Sequence, residues 1–331
     1  MRAKEMREGC AFCAVMILSP VLALGSASQA EASPLAYVPN GASDNVSVID
    51  TAAVPPKVVA TIPVGTRPSG VVVTPDGTRA YVTNFFSNTV SVIDTAANTV
   101  TATVTVGTHP NQAAVTPDGK RVYVTNTDSN SVSVVDTASN TLDGPPIPVG
   151  AFPAGVAITP DGTRAYVVNG RDGAVSVVDT AANRVVGPPI PVGNLPIAIA
   201  ISPNGARAFV VNNGSRTVSV IDVARNAVAA TVAAGGGTVA IAPDGKHAYV
   251  SNSPLNSVSV IDVAANTVAA SIAVGSFPTG IAVTPDGARV YVANLSSNDV
   301  SVIDTATNTV AGSPIPVGKS PEAVGFAAPS K

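Results

Sequence analysis

Tryptophan is absent from this chain, aromatic residues make up only 4% of it and charged residues only 12%. The formal net charge is −3, which excludes the basic footprint that duplex nucleic acid or an anionic membrane surface demands. Both cysteines, Cys10 and Cys13, fall in the first 32 residues, so the rest of the chain stands without disulfides. Histidine occurs twice, and glutamate once beyond residue 32, a poor stock for acid–base catalysis. Dispersed acids without His or Cys partners argue against a zinc site. No metal, cofactor or catalytic residue is therefore assigned. Beyond the first 32 residues no apolar run is long enough to span a bilayer.

The N-terminal segment has its own character. Arg2, Lys4 and Arg7 precede an apolar run from Cys10 to Leu24, and small residues lead to Ala30 and Ala32. That order is a secretory leader, with cleavage after Ala30 or Ala32; residue 32 is taken as the boundary. Pro20 interrupts the run, and an uncleaved anchor is the alternative. The Cys10-x-x-Cys13 pair would leave with the leader. The expectation is a cleaved signal peptide at 1–32 and one domain at 33–331, outside the cytoplasm: periplasm, cell surface or medium.

A repeat dominates the rest. Tyr-Val-x-Asn or a close variant recurs at Tyr37, Tyr81, Tyr123, Tyr166, Phe209, Tyr249 and Tyr291, spaced by 44, 42, 43, 43, 40 and 42 residues. Each copy is followed by Ser-Val-(Ile/Val)-Asp. One unit reads as four short strands: Gly70–Thr74 (a), Arg79–Thr83 (b), Val90–Asp94 (c) and Val100–Val106 (d). Pro75-Asp76-Gly77 turns a into b, with proline setting φ and glycine taking the left-handed position. Prolines crowd d at Pro145, Pro146, Pro148, Pro188, Pro189, Pro191, Pro314 and Pro316. Proline cannot donate to a ladder, which places d at the outer edge. Strand a is innermost, and small residues at the position of Val72 (Ala114, Ala157, Ala200, Ala240, Ala282, Gly325) suit a taper towards an axis.

The pattern predicts an all-β, seven-bladed β-propeller with four antiparallel strands per blade. No a strand fits before Tyr37, and Glu322–Ala327 is an a strand with no b strand after it. The C-terminal segment therefore closes the ring as the innermost strand of the N-terminal blade.

Tyr81-Val-Thr-Asn84 and Tyr123-Val-Thr-Asn126 resemble the YVTN family of β-propeller repeat proteins, and the likeness runs from Pro34 to Ala328. The resemblance implies an exported propeller of undefined activity; relatives include surface-layer proteins and a periplasmic protein associated with single-stranded DNA. Quinone-dependent dehydrogenases also resemble propellers, but their tryptophan-bearing blades are missing here.

Residues that recur seven times are explained by turns and packing. The Pro-Asp-Gly acids (Asp76 and its equivalents), the strand-c acids (Asp50, Asp94 and their equivalents) and the repeated tyrosines are read that way. Exceptions mark a site. They gather in the d-to-a and b-to-c connections, which share one face. Apolar exceptions there are Phe85, Phe86, Phe152, Leu195, Leu255 and Phe277, with Leu295 beside them. Arg67, His109, Arg171, Arg216, Lys319 and Glu322 supply a polar rim. Apolar loop residues around a channel mouth are the kind of patch that marks a ligand or partner site. His247, after the Asp244-Gly-Lys turn, reads as surface.

The expected function is a non-catalytic binding or scaffold module, a monomer whose partner is an envelope protein or a small ligand. One alternative is a hydrolase or lyase of a small lactone or sugar derivative at the channel mouth, using His109, Glu322 and Arg67. Another is weak single-stranded DNA binding through the phenylalanines and arginines.

Overall fold

The repeat resolves into seven four-stranded antiparallel units in a computed structural model that describes residues 35–327. The proposed leader and both cysteines lie outside the described residues. Blade 2 is built from Pro68–Val73 (a), Arg79–Asn84 (b), Thr89–Asp94 (c) and Thr99–Thr105 (d), hydrogen-bonded in that order. Blades 3 to 7 repeat this order from contiguous sequence. Blade 1 is composite: Leu35–Asn40, Asn45–Asp50 and Lys57–Pro63 supply b, c and d, and Gly325–Phe326 supplies a.

That last strand closes the ring. Ala36 pairs with Phe326 and Tyr37 with Gly325. On either side, Gly325 lies against Val71 of blade 2, and Ala323 against Gly280 of blade 7. The closure strand is shorter than Glu322–Ala327. Its regular ladder covers two residues, extended by an Asn40–Pro321 bridge and by hydrogen bonds from Glu322 N to Pro39 O and Ala327 N to Leu35 O. A bulge accounts for the gap. Strand a is bulged directly after its leading proline in five other blades too, at Pro68/Gly70, Pro110/Ala113, Pro153/Val156, Pro196/Ala198 and Pro278/Ile281.

Strand alternation makes the core. In blade 2, Ala80, Val82 and Ile93 face blade 1, and Tyr81, Val90, Val92 and Val104 face blade 3. Each seam between blades is one such cluster, and a fully buried valine or isoleucine in it contributes roughly 1.5–3 kcal/mol. The axial taper sits two residues earlier than expected. A side chain at Gly70, Gly155 or Gly280 would run into the neighbouring innermost strand, whereas Val72 and Ala114 pack into blade seams. Gln112 occupies this tight position in blade 3.

The repeated tyrosines also latch blade to blade. Each is fully buried, and the hydroxyls of Tyr37, Tyr81, Tyr123 and Tyr166 donate to Asn98, Asn140, Asn183 and Asn226 at 3.1, 2.8, 2.6 and 2.6 Å. Those asparagines end the c-to-d turn of the next blade with φ between 48° and 54°, a conformation Asn tolerates. In blade 5 Phe209 has no hydroxyl, and Arg207 reaches across to Val263 O and Asn266 instead. At the 7-to-1 seam the turn reads Ala52-Ala53-Val54-Pro55, and the Tyr291 hydroxyl has no partner among the described residues.

Proline breaks the outer edge in the three blades where the sequence crowds it. Strand d is broken into two short pieces only in blades 3, 4 and 7, as at Thr141–Leu142 and Ile147–Pro148. In blades 1, 2, 5 and 6 it runs on as six or seven residues, interrupted only by a bulge in its pairing with strand c.

Burial raises the phenol of every repeated tyrosine, that of Tyr37 to about 12. An unfolded tyrosine ionises near pH ~10, so between about 10 and 12 the unfolded chain has lost protons that the folded chain keeps. Stability is therefore present below pH ~10 and lost as pH rises through the folded values. Alkaline titration should show tyrosinate absorbance and loss of β circular dichroism in one coincident transition. Tyrosinate appearing well before unfolding would contradict the burial.

Candidate functional site

The candidate residues share the face that carries the d-to-a and b-to-c connections. The Pro-Asp-Gly and c-to-d turns occupy the other, and antiparallel pairing places both described ends, Leu35 and Ala327, there too. On that far face the acids are structural. Asp76 accepts from Thr74 Oγ1 and Thr78 N, and Asp94 from Ala96 N and Ala97 N. The first pair of bonds holds the Asp76 carboxyl below its ordinary range, the Thr74 hydroxyl contributing most.

A backbone device aims the site residues. The residue before the connection's proline is left-handed in six blades: Arg67, His109, Phe152, Leu195, Phe277 and Ser320 have φ between 46° and 60°. That conformation costs a non-glycine residue roughly 1–2 kcal/mol. A side chain from the preceding blade offsets the cost in five of them. Arg67 N donates to Asp44, His109 N to Asn88, Phe152 N to Asn130, Phe277 N to Asn256 and Ser320 N to Asn298, at 2.8–3.0 Å. At Leu195 the matching position is Gly173, which has no acceptor. In the shortened 5-to-6 connection it is Arg216, itself left-handed, and glycines at 235–237 replace the proline device.

Around blades 1 to 3 these residues converge. Phe85 and His109 stack in parallel with centroids 4.5 Å apart, and Phe86 meets both edge-on at 5.3 and 5.8 Å. The Arg67 guanidinium lies 5.7 Å from the Phe85 ring centre and 5.4 Å from that of Phe86, within cation–π range. Asp128 accepts from His109 Nδ1 at 2.7 Å, which fixes the tautomer and leaves Nε2 without a hydrogen bond among the described residues. Arg67 also reaches Glu322, at 3.8 Å. Burial holds the Glu322 carboxyl above the usual carboxylate range, with Arg67 pulling the other way.

The remaining candidates are spread around the rim. Arg171 lies over the half-buried Phe152 ring at 5.1 Å. Leu195, Leu255 and Phe277 stand exposed, Leu255 at 71% at the end of a short 3₁₀ turn, Ser253–Leu255. Leu295 is half-buried, and Arg216 and Lys319 project into solvent. The face therefore holds one cluster and an apolar arc.

At the axis is a channel cavity of about 120 Å³ lined by the innermost strands of all seven blades, with Gln112, Thr238 and Glu322 as its polar groups. Neither Arg67 nor His109 lines it. Sequence reasoning missed Gln112, Thr238 and Asp128. Gln112 and Thr238 carry a readable signal, polar side chains at one strand position where the other repeats have Gly or Ala; Asp128 carries none. Among the described residues no three His, Cys, Asp or Glu side chains gather as a metal cage.

Comparison with known proteins fits this geometry. The model of the YNCE-like beta-propeller family matches residues 9–328. The chain belongs to that family. No curated protein matches it. Among solved structures, this YNCE-like propeller is similar to Kuenenia stuttgartiensis hydrazine synthase, at 25% identity and a TM-score of 0.71, covering 80% of this chain and 90% of that one. It is similar to a functionally unknown protein from Desulfotomaculum acetoxidans at 17% identity and TM-score 0.79, over 89% and 99% of the two chains. A protein from Bacteroides uniformis provisionally named a 6-phosphogluconolactonase gives 18%, 0.78, 89% and 99%. The last two likenesses speak to fold alone.

Asn88→Ala removes the acceptor that holds His109 left-handed and puts alanine in a left-handed position itself. A loss of roughly 1–2 kcal/mol is expected, read as a lower denaturation midpoint at unchanged slope. No change would show that the asparagine does not hold the connection.

Proposed function

We propose that this YNCE-like propeller is an exported YVTN-type repeat protein that works by recognition, without catalysis of its own. The leader-like segment at 1–32 supports export to the periplasm, cell surface or medium. The observation that carries recognition is the exposure of large apolar side chains on one face: Phe86 at 55%, Phe277 at 45% and Leu255 at 71%. The first two come from positions whose backbone is held fixed, Phe86 by a hydrogen bond from its N–H to Thr66 O and Phe277 by Asn256. Preorganised apolar anchors suit a protein partner, because little side-chain and loop freedom is lost on binding.

The hydrolase alternative is less well supported: His109 is engaged by Asp128 and Phe85, away from the channel that Glu322 lines. For DNA, the aromatic cluster is compact, with Phe85 stacked on His109 and Phe86 edge-on to both, which offers no run of stacking platforms.

The test compares mature protein with a variant carrying alanine at Phe86, Leu255 and Phe277, each immobilised and exposed to envelope extract. A defined protein retained by the first and lost at least roughly tenfold by the second is expected, the scale of losing anchor residues. Equal retention, or no retained protein, would overturn the reading.

A further inference from the structure

Strand d is the outermost of every blade, so one of its two rows of backbone groups faces away from the sheet. Its pairing with strand c says which. In blade 2, Val106 N donates to Asn88 O at 3.0 Å, and Val104 and Ala102 follow at every second residue, opposite Val90 and Val92. Antiparallel bonding alternates along a strand. The N–H and C=O groups of Ala102, Val104 and Val106 therefore point to strand c, and those of Thr103 and Thr105 point outwards. Thr101 sits in the bulge, so the regular edge starts at Ala102.

The same bond recurs in other blades, as from Val64 N to Asp44 O and from Val149 N to Asn130 O, and it fixes the matching positions. The equivalent of Thr105 is Pro63 in blade 1, Pro148 in blade 3, Pro191 in blade 4 and Pro316 in blade 7. Proline there costs no bond to strand c and removes an outward donor that an added strand would need. In blade 5 strand d ends at Val232, short of that position. Two edges stay open: Thr99–Thr105 of blade 2 and Thr267–Ala273 of blade 6.

Blade 2 offers the better template. Its edge is Thr and Val around a single Ala, whereas the blade 6 edge carries the weaker strand formers Ala269, Ala270 and Ala273. No charge and no proline occurs from Thr95 to Thr108, and the Thr103 and Thr105 side chains are exposed. The edge also complements itself. Turned about a two-fold axis at Val104, Thr103 faces Thr105 of the second copy and Thr105 faces its Thr103. Both are pairs of outward-facing residues, able to exchange both N–H···O bonds. A two-fold axis also brings each residue near its own copy, so a charge on this edge would meet a like charge, and none is present.

We propose that the outer edge of blade 2 pairs antiparallel with a second copy of itself about Val104, joining two propellers rim to rim through one continuous sheet. The contact spans about five residues per copy, below the roughly 1,200 Å² of a standard interface. The dimer is therefore weak, with Kd on the order of 100 μM. It departs from the monomer expected on sequence. The loop face stays clear of it, so its failure leaves the recognition reading standing, and the reverse.

Sedimentation equilibrium of the mature protein from about 10 μM to about 1 mM, with amide exchange at both ends of that range, tests it. Monomer should give way to dimer. Exchange of the Thr103 and Thr105 amides should slow about fourfold, the fall in free monomer at that Kd, while Ser271 and Ala273 stay unchanged. Thr105→Pro, the residue that blades 1, 3, 4 and 7 carry there, should remain monomeric, and Ala273→Pro should dimerise like the parent. Circular dichroism checks folding, and Thr103→Lys, an exposed change on the same edge, stands in if Thr105→Pro does not fold. A parent protein monomeric to about 1 mM would overturn the proposal, including where another extended chain protects the same amides. So would a folded Thr105→Pro or Thr103→Lys that dimerises like the parent, or a dimer lost in folded Ala273→Pro.

Discussion

Every blade presents apolar surface on both faces, so none is stable beside water, and the seam between the last blade and the first must be closed. Two residue pairs, Ala36 with Phe326 and Tyr37 with Gly325, are the regular ladder that does this. Behind them a cluster joins Ala36, Val38 and Ile49 to Tyr291, Val300, Val302 and Ile315, with Val324 packed among them. Sheet hydrogen bonding and seam packing depend on each other here. Without the C-terminal strand, strand b of blade 1 is an open edge, and the channel loses the wall that carries Glu322.

This seam also goes without one blade-to-blade latch. It lacks the tyrosine-to-asparagine bond found at the first four seams, since blade 1 offers no asparagine to Tyr291. Closure brings Glu322 to Arg67 across about three quarters of the length of the chain. The feature that completes the ring therefore also assembles the channel mouth.

Most of the fold was legible because its signals are local and repeated. Period, alternation and Pro-Asp-Gly turns identify strands without tertiary information, and the unpaired a strand at the C-terminus reveals closure. What escaped depends on partners far away in sequence. Tyr123 meets an asparagine 60 positions on, and only the ring brings them together. The left-handed connections escaped for another reason: a residue before proline is normally extended, and six copies depart from that rule. The exceptions to the repeat fall in connections on one face, but they do not all group together there. Phe85, Phe86, His109 and Arg67 cluster, whereas Leu195, Leu255 and Phe277 do not join them. Gln112 was visible as an exception yet lay in a strand taken for scaffold, and Asp128 looked like an ordinary loop acid.

The most direct test of the account removes residues 321–331 and measures unfolding by denaturant and by amide hydrogen exchange. If closure governs the ring, the shortened chain loses its single cooperative transition, and amides of Leu35–Asn40 and of blade 7 exchange far faster than those of blades 3 and 4. A shortened chain that unfolds at the same midpoint, with blade 1 as protected as before, would contradict it.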